Sequence, residues 1–495
     1  MTLNCPVRYW ASTTPGSPAL KFAERRWSYG ELDREVSRWT ALLHSRGVGS
    51  GSRVVLLCGN RPELVFLVHA LARLGAAVAA LNTRLARAEL DPLAQRLSPR
   101  LVIAEDGLRD RIASATTVES LADEARGCDG REEEIPNGDR RDPGILLAIL
   151  FTSGTSGAPK GAELTPGNFA ANARASAANL GGDPDQRWLA CLPLHHVGGL
   201  AMLLRTAWYG AQLVVLPRFD PDAVNASLDS DAITHLSLVE NALAQTLEAR
   251  KGHRFPASLR AALIGGGPVS DHLLASARRA SMPALQTYGL TEATSQVATE
   301  RIDAADGQTC GPSLAGVKVR IADQEGIPVP TGEVGEIEVQ GPTVMRGYWS
   351  DPPGTAQAFR DGWLRTHDIG CLDDQGRLKI FARRSDLIIS GGENIYPAEI
   401  ERVLAAHPEV VEVAVVSRSD PRWGQVPVAA VVSRGELAST GDLQLWCRSK
   451  LAAFKVPQRY LAFESLPHNA TGKIDRLAVR TMVERALQAA KAVEP

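Results

Sequence analysis

Five stretches of this chain carry residues whose types and order could handle a nucleotide. The first is 151-FTSGTSGAPKGAEL-164, where an apolar run empties into Gly, Ser and Thr with one lysine, Lys160. Such a loop offers many backbone N–H groups, several hydroxyls and a cation, the equipment for holding a polyphosphate. It is not a Walker loop, because Pro159 precedes the lysine and Gly161 follows it. A mobile surface loop is the plainer reading, and the buried strand just before it argues against that. The second stretch is 286-QTYGLTEATSQ-296. Tyr288 offers a flat face to a base, Thr291 a hydroxyl to a phosphate, and Glu292 a hard oxygen ligand to Mg²⁺. Upstream, Gly265, Gly266 and Gly267 would let a ligand approach the backbone closely.

The other three are weaker alone. In 363-WLRTHDIG-370, Asp368 is a lone acid that could accept from both ribose hydroxyls, or an ordinary turn residue. In 383-RRSDLIISGGENIYPAEIE-401, Gly391 and Gly392 suit either a narrow channel or a hairpin turn. In 467-PHNATGKIDR-476, Lys473 follows a Thr-Gly turn, and most lysines are simply solvated.

The elements that must position these stretches follow from periodicity. Ser28 with Glu31 has capping-box spacing, and Leu32, Val36, Trp39 and Leu43 continue at helical intervals. Val54 to Leu57 reads as a strand, Asn60 with Glu63 as the start of a helix that Gly75 ends, and Ala76 to Leu81 as the next strand. Ile145 to Phe151 reads as a strand covered on both faces, and Thr165-Pro166 opens a helix. Leu213 to Leu216, His235 to Val239 and Ala261 to Ile264 are further strands, and Ser270 can cap a helix through Ala280. Alternating strands and helices of this kind predict parallel α/β sheets, which bind ligands at strand ends. Residues 105–143 read as a solvated linker. After about residue 310 the pattern shifts to short strands with Gly and Pro turns, and Gly332 to Gln340 alternates like a hairpin. Beyond Ala382 to Ser385, the helix Pro397 to Leu404 and strands Val410 to Val416 and Val428 to Val432 predict a small α+β domain.

Composition narrows the function classes. At 495 residues the chain is long enough for roughly three structural units. Lys plus Arg (54) nearly balances Asp plus Glu (56), so no bulk basic field draws it to nucleic acid or acidic lipid. Its 7 cysteines include no Cys-x-x-Cys pair, which argues against a disulfide framework or a structural zinc site. No signal-peptide pattern opens the sequence, and Leu64 to Leu81 is broken by His69 and Arg73, so it reads as a buried helix and strand with no membrane anchor. A cytoplasmic protein is expected, with a homodimer left open.

In order and approximate spacing, the five stretches resemble the adenylate-forming family of acyl-CoA synthetases, peptide-synthetase adenylation domains and beetle luciferases. The resemblance runs to about residue 480. It implies a large N-terminal domain over 1–383, with parallel α/β sheets and a small β-barrel-like part from about 310 to 383, then a mobile α+β domain over 384–495. It implies ATP, Mg²⁺ and coenzyme A as cofactor and co-substrates, and a small carboxylic acid as substrate. Carried over residue by residue, Thr152, Ser153, Gly154, Thr155, Ser156, Gly157 and Lys160 would grip the β- and γ-phosphates. Gly266, Gly267, Gln286, Thr287, Tyr288 and Gly289 would line the nucleotide site, with Tyr288 against adenine. Thr291 would contact the α-phosphate and Glu292 would hold Mg²⁺. Asp368 and Arg383 would bind ribose, Gly391 and Gly392 would line the pantetheine tunnel, and Lys473 would reach the carboxylate and α-phosphate. The hinge would fall between Arg383 and Asp386, although Ser385 stands where the family often has Asp or Lys.

Two stretches, 263-LIGGGPVS-270 and Tyr288 to Gln296, resemble the o-succinylbenzoate–CoA ligases within that family. Their substrate has a second carboxylate that must stay ionised and be met by donors. His196, Arg205, Gly265, Thr294, Ser295 and Gln296 are the candidates to line the acyl site. His196 has packing and gating as its alternative role, and Arg205 has that of a solvated helix residue. His195, Gly198 and Val239-Glu240-Asn241 depart from the usual pattern around that pocket, and a fatty- or aryl-acid CoA ligase or a carrier-loading adenylation enzyme are the alternatives.

Overall fold

Local signals set the first helices. The Ser28 hydroxyl accepts the Glu31 N–H and the Glu31 carboxylate accepts the Ser28 N–H at 2.8 Å, so the capping box opens the helix Tyr29–Ser45. Thr165 caps Pro166–Leu180 in the same reciprocal way with Asn168. Gly75 ends Pro62–Leu74 in the left-handed conformation at φ 67°. Asn60 does not open that helix, as its spacing to Glu63 suggested. Pro62 occupies the first turn and supplies the start. Buried Asn60 instead donates to Leu192 O (3.0 Å) and Leu216 O (3.1 Å) and accepts the Leu194 N–H (2.8 Å).

The computed structural model describes residues 3–128, 140–153, 159–267, 269, 271–382, 387–433, 440–468 and 474–491. The fold is α/β, and the chain divides into two units. The larger gathers Met1–Thr83, Ala94–Phe151 and Gly161–Ala382; the smaller gathers Arg84–Leu93, Thr152–Lys160 and Arg383–Pro495.

In the larger unit, a six-stranded sheet runs in the order Pro159–Leu164, Ala148–Ser153, Ala77–Ala80, Arg53–Leu57, Leu101–Ala104, Thr116–Thr117. An eight-stranded sheet runs Ser295–Thr299, Ala284–Leu290, Ala261–Ile264, His235–Leu238, Arg187–Ala190, Gln212–Val215, Pro18–Phe22, Arg25–Ser28. Its six inner strands are mutually parallel and its two edge strands antiparallel. The strand Ala261–Ile264 is buried throughout, in keeping with its uninterrupted apolar sequence.

Two expectations change. Residues 106–127 are not a linker: they form the 3-10 turn Asp106–Arg111, the strand Thr116–Thr117 and the helix Val118–Gly127. Thr117 caps that helix and Val118, Leu121 and Ala125 bury its inner stripe, while residues 129–139 lie outside the described residues. The β-rich part is an antiparallel five-stranded sheet (Lys318–Ala322, Gly335–Gln340, Trp363–Leu372, Phe359–Arg360 and Leu378–Ala382), and no ladder among the described residues closes it into a barrel. Its outer strands, Lys318–Ala322 on one side and Phe359–Arg360 and Leu378–Ala382 on the other, form no ladder with one another among the described residues.

The smaller unit carries its own five-stranded sheet, in which Val410–Asp420 and Gly424–Ser433 form a long antiparallel pair. Its core contains Ile388, Ile400, Val415, Val431 and Leu443. Buried Lys455 meets Glu89 at 2.6 Å and Glu399 at 2.8 Å, which ties the Arg84–Leu93 segment into this unit.

One buried histidine gives the larger unit a pH dependence. His235 stacks on Trp188 (4.6 Å, 18°), with its ring nitrogens on Thr234 Oγ1 (2.8 Å) and Leu180 O (3.2 Å). Burial pushes its imidazole down to about 4. The unfolded chain takes up that proton near the ordinary value of about 6.5, so the neutral ring's stability is complete above pH 6.5 and is lost as pH falls toward 4. Between pH 7 and 5 the loss is about 2 kcal/mol. Urea unfolding at both pH values is expected to show a drop in wild type that His235→Gln lacks; equal drops would refute the assignment.

Candidate active site

Because the inner strands of the eight-stranded sheet are parallel, their carboxyl ends share one edge. Ala190 leads there to Leu192–His196, Leu238 to Val239–Glu240, Ile264 to Gly265–Gly267, and Leu290 to Thr291–Glu292. Loops from neighbouring strand ends are where open α/β sheets bind ligands.

Glycine is required at two of these positions. A Cβ on Gly265 would lie 2.7 Å from Thr287 O, and one on Gly289 would lie 1.9 Å from Ser295 O. Gly289 therefore allows the hairpin of Ala284–Leu290 with Ser295–Thr299 to close, with a bulge beside Tyr288. Gly266 takes a positive φ of 82°.

That hairpin presents the sequence-predicted residues unequally. The Gln286 amide donates to Gly307 O at 2.7 Å, and the Thr287 hydroxyl pairs with Thr299 Oγ1 at 2.8 Å. These side chains are committed within the fold. Tyr288 is only 2 % exposed, and its hydroxyl donates to Asp368 Oδ2 at 2.6 Å. This pair joins two stretches 80 residues apart. Asp368 Oδ1 is left without a partner among the described residues. The Thr291 hydroxyl likewise has none, at the head of the 3-10 turn Thr291–Ala293. Glu292 is held from two sides: its Oε1 accepts from the Tyr348 hydroxyl at 2.9 Å and its carbonyl accepts the Met345 N–H at 2.8 Å. A fixed carboxylate of this kind fits a hard divalent cation. Tyr348 and Met345 were not foreseen, since nothing local in the sequence links them to Glu292.

The acyl-site candidates also separate. Thr294 sits at φ 56° with its hydroxyl on Thr343 O at 2.5 Å, so it is a structural turn residue and not a donor for substrate. Ser295 follows at φ 83°. Gln296 is buried and its Oε1 accepts from Arg205 Nη1 at 2.6 Å. Arg205 is not a solvated helix residue: it is 3 % exposed. Its helix, Val197–Tyr209, begins after His196 and is buried along most of its length. Arg205 Nη1 also donates to Ser176 Oγ at 3.0 Å, and the guanidinium lies 5.3 Å from the Trp188 ring. Among the described residues no carboxylate pairs with it and Nη2 has no hydrogen-bond partner. Burial pushes its guanidinium below its ordinary value. His196 is exposed and packs its ring 4.4 Å from that of buried His195. The loop carrying both is braced by Asn60.

Between the strands Ala148–Ser153 and Pro159–Leu164, Thr152 Oγ1 approaches Lys160 O at 3.5 Å. The side chain of Ser153, and Gly154, Thr155, Ser156, Gly157, Arg383 and Lys473, lie outside the described residues. Gly391 (φ 57°) and Gly392 (φ 84°) form the two-residue turn between Ile388–Ser390 and Glu393–Ile395. Both central residues have positive φ, which selects glycine. A Cβ on Gly391 would strike Trp423 at 2.8 Å.

Residues 7–349 match the AMP-binding enzyme family and residues 399–473 match the AMP-binding enzyme C-terminal domain. The chain belongs to the AMP-binding enzyme family. It is 39 % identical over 484 residues to a 2-succinylbenzoate–CoA ligase of Bacillus cereus, covering 96 % of this chain and 97 % of that protein. The o-succinylbenzoate CoA synthetase of Bacillus subtilis, as a double mutant bound with its product analogue OSB-NCoA, superposes with a TM-score of 0.89 at 33 % identity, covering 96 % of this chain and 98 % of that one. The same synthetase in complex with ATP and magnesium ion gives 0.73 at 34 % identity, again covering 96 % and 98 %. Among the described residues, no helix is long and apolar enough to cross a membrane.

Proposed function

We propose that the chain is an AMP-forming CoA ligase that adenylates one carboxylate of o-succinylbenzoate and passes the acyl group to coenzyme A. The observation that carries the substrate reading is Arg205, a buried cation with no carboxylate partner and one terminal nitrogen unengaged among the described residues. A buried charge without a partner costs several kcal/mol. A dicarboxylic substrate supplies one: the carboxylate that does not react settles on Arg205, itself aligned by Gln296 and Ser176. The relatives' names and bound ligands support the same substrate class.

In the first half-reaction an oxygen of the reacting carboxylate attacks the α-phosphorus of ATP and pyrophosphate leaves. In the second, the CoA sulfur, its proton lost, attacks the acyl carbonyl and AMP leaves. The anhydride is needed because a carboxylate is a poor electrophile and AMP a good leaving group. Asp368, oriented by Tyr288, accepts from ribose. Thr291 donates to the α-phosphate. Glu292, fixed by Tyr348, would hold Mg²⁺, which when bound offsets phosphate charge. Lys473 neutralises charge developing on the α-phosphate and carboxylate. His196 borders the acyl pocket. Lys160 and the Ser/Thr-rich loop before it take the β- and γ-phosphates, and Arg383 contacts ribose. We place the domain boundary between 383 and 384, with Gly391 and Gly392 serving the thioester step. ATP and CoA as co-substrates fit a cytoplasmic enzyme.

The test separates the two half-reactions. With o-succinylbenzoate and ATP alone, hydroxylamine is expected to trap an acyl hydroxamate while pyrophosphate is released. Addition of CoA should divert it to thioester with AMP release. Trapping that free CoA cannot divert would exclude the CoA-ligase assignment and favour a carrier-protein acceptor.

A further inference from the structure

Asp368 lies on a strand that does not run regularly. In the ladder between Gly335–Gln340 and Trp363–Leu372, Glu336 faces Ile369 but Glu338 faces Arg365, so Thr366, His367 and Asp368 bulge out of register. At the centre of this bulge His367 takes φ 59°, a left-handed conformation uncommon for a residue with a side chain. Bulges re-aim side chains, and held strain clusters at functional positions.

One carboxylate holds the bulge. Glu336 Oε1 accepts the His367 backbone N–H at 3.0 Å and lies 3.0 Å from His367 Nδ1. Its Oε2 accepts from Arg365 Nε at 3.2 Å and Nη2 at 2.7 Å. Arg365 and His367, which flank Thr366 just ahead of the acid, are therefore gripped, by side chain or main chain, from the opposing strand. Thr366 completes the frame by donating to Ile337 O at 2.7 Å and accepting the Asp368 N–H at 3.1 Å.

We propose that Glu336 is a positioning residue for nucleotide binding: it clamps the left-handed backbone of His367 and so aims Asp368 at the ribose hydroxyls. Glu336 touches no substrate in this scheme and acts through the bulge. The inference rests on the reading of Asp368 as the ribose ligand.

The chemistry of the clamp predicts a specific rescue. Glu336→Gln keeps the side chain's size but loses the charge that holds Arg365 and His367 together. Glycine adopts φ near 60° without being held, so His367→Gly should remove the need for the clamp. Calorimetric titration with AMP is expected to show about 10-fold weaker binding to Glu336→Gln, the scale of one charge-assisted hydrogen bond. The double variant Glu336→Gln/His367→Gly should regain wild-type affinity. With 2′,3′-dideoxy-AMP, which lacks the groups Asp368 addresses, wild type and Glu336→Gln should bind equally. Equal AMP affinities in wild type and Glu336→Gln, a double variant that stays weak, or the same loss with the dideoxy nucleotide would each overturn the clamp. Wild type that binds no AMP would overturn the nucleotide reading together with it.

Discussion

Arg205→Met is expected to lower kcat/KM for o-succinylbenzoate by roughly 10²- to 10³-fold. Removing one partner of a buried, hydrogen-bonded charge pair costs about 2–5 kcal/mol, and the substrate's second carboxylate would be left unpaired in the pocket. Methionine keeps an unbranched apolar stem and removes the charge and its donors. A monoacid of similar size, 4-phenylbutanoate, places no charge there and should lose little or gain. The change in the ratio of the two substrates is therefore the readout, since a general loss of fold would lower both. Parallel losses would remove Arg205 from the recognition of the spare carboxylate.

The second large effect concerns Lys473. Lys473→Ala is expected to slow o-succinylbenzoate-dependent pyrophosphate release by about 10²- to 10³-fold, the cost of deleting one donor aimed at developing charge. The thioester half-reaction, started from preformed acyl-adenylate and CoA, should keep near wild-type rate. In the proposed scheme the lysine acts on charge that develops on phosphate and carboxylate, and the second step attacks the carbonyl after that charge has formed. A variant that keeps pyrophosphate release, or loses both steps alike, would contradict the assigned role.

Much of the scaffold was legible locally. The Ser28 and Thr165 caps, the Gly75 stop and the continuous apolar strands act within a turn or two of the chain, and the helices and strands follow them. The family resemblance likewise rested on short motifs with fixed order. What escaped was long-range. Tyr288 reaches Asp368 across 80 residues and Tyr348 reaches Glu292 across 56, and no periodicity encodes either pair. Asn60 has the spacing of a helix start, yet its side chain serves backbone groups more than 130 residues away. Glu336, which accepts the N–H of left-handed His367, stands on another strand, so the sequence around His367 gives no sign of the contact.

Arg205 is a different case, because a usable signal was present. Val197–Tyr209 reads VGGLAMLLRTAWY, apolar on every face, and a helix of that kind is buried. Its single charge must then be buried with it and find polar company. The same reasoning would have recovered the helix Val118–Gly127, where Thr117 precedes Val118, Leu121 and Ala125 on one stripe. In both places the composition of the surroundings, charged in one and apolar in the other, hid the pattern of the inner face.

The most direct test of the central claim is CoA-dependent AMP release across o-succinylbenzoate, benzoate, 4-phenylbutanoate, octanoate and palmitate. A site built around a buried cation should favour o-succinylbenzoate over each monoacid by roughly 10⁴-fold in kcat/KM, well beyond the 10- to 200-fold that an apolar pocket achieves. Comparable turnover of 4-phenylbutanoate or octanoate would contradict the account: adenylation would stand, and Arg205 would no longer define the substrate.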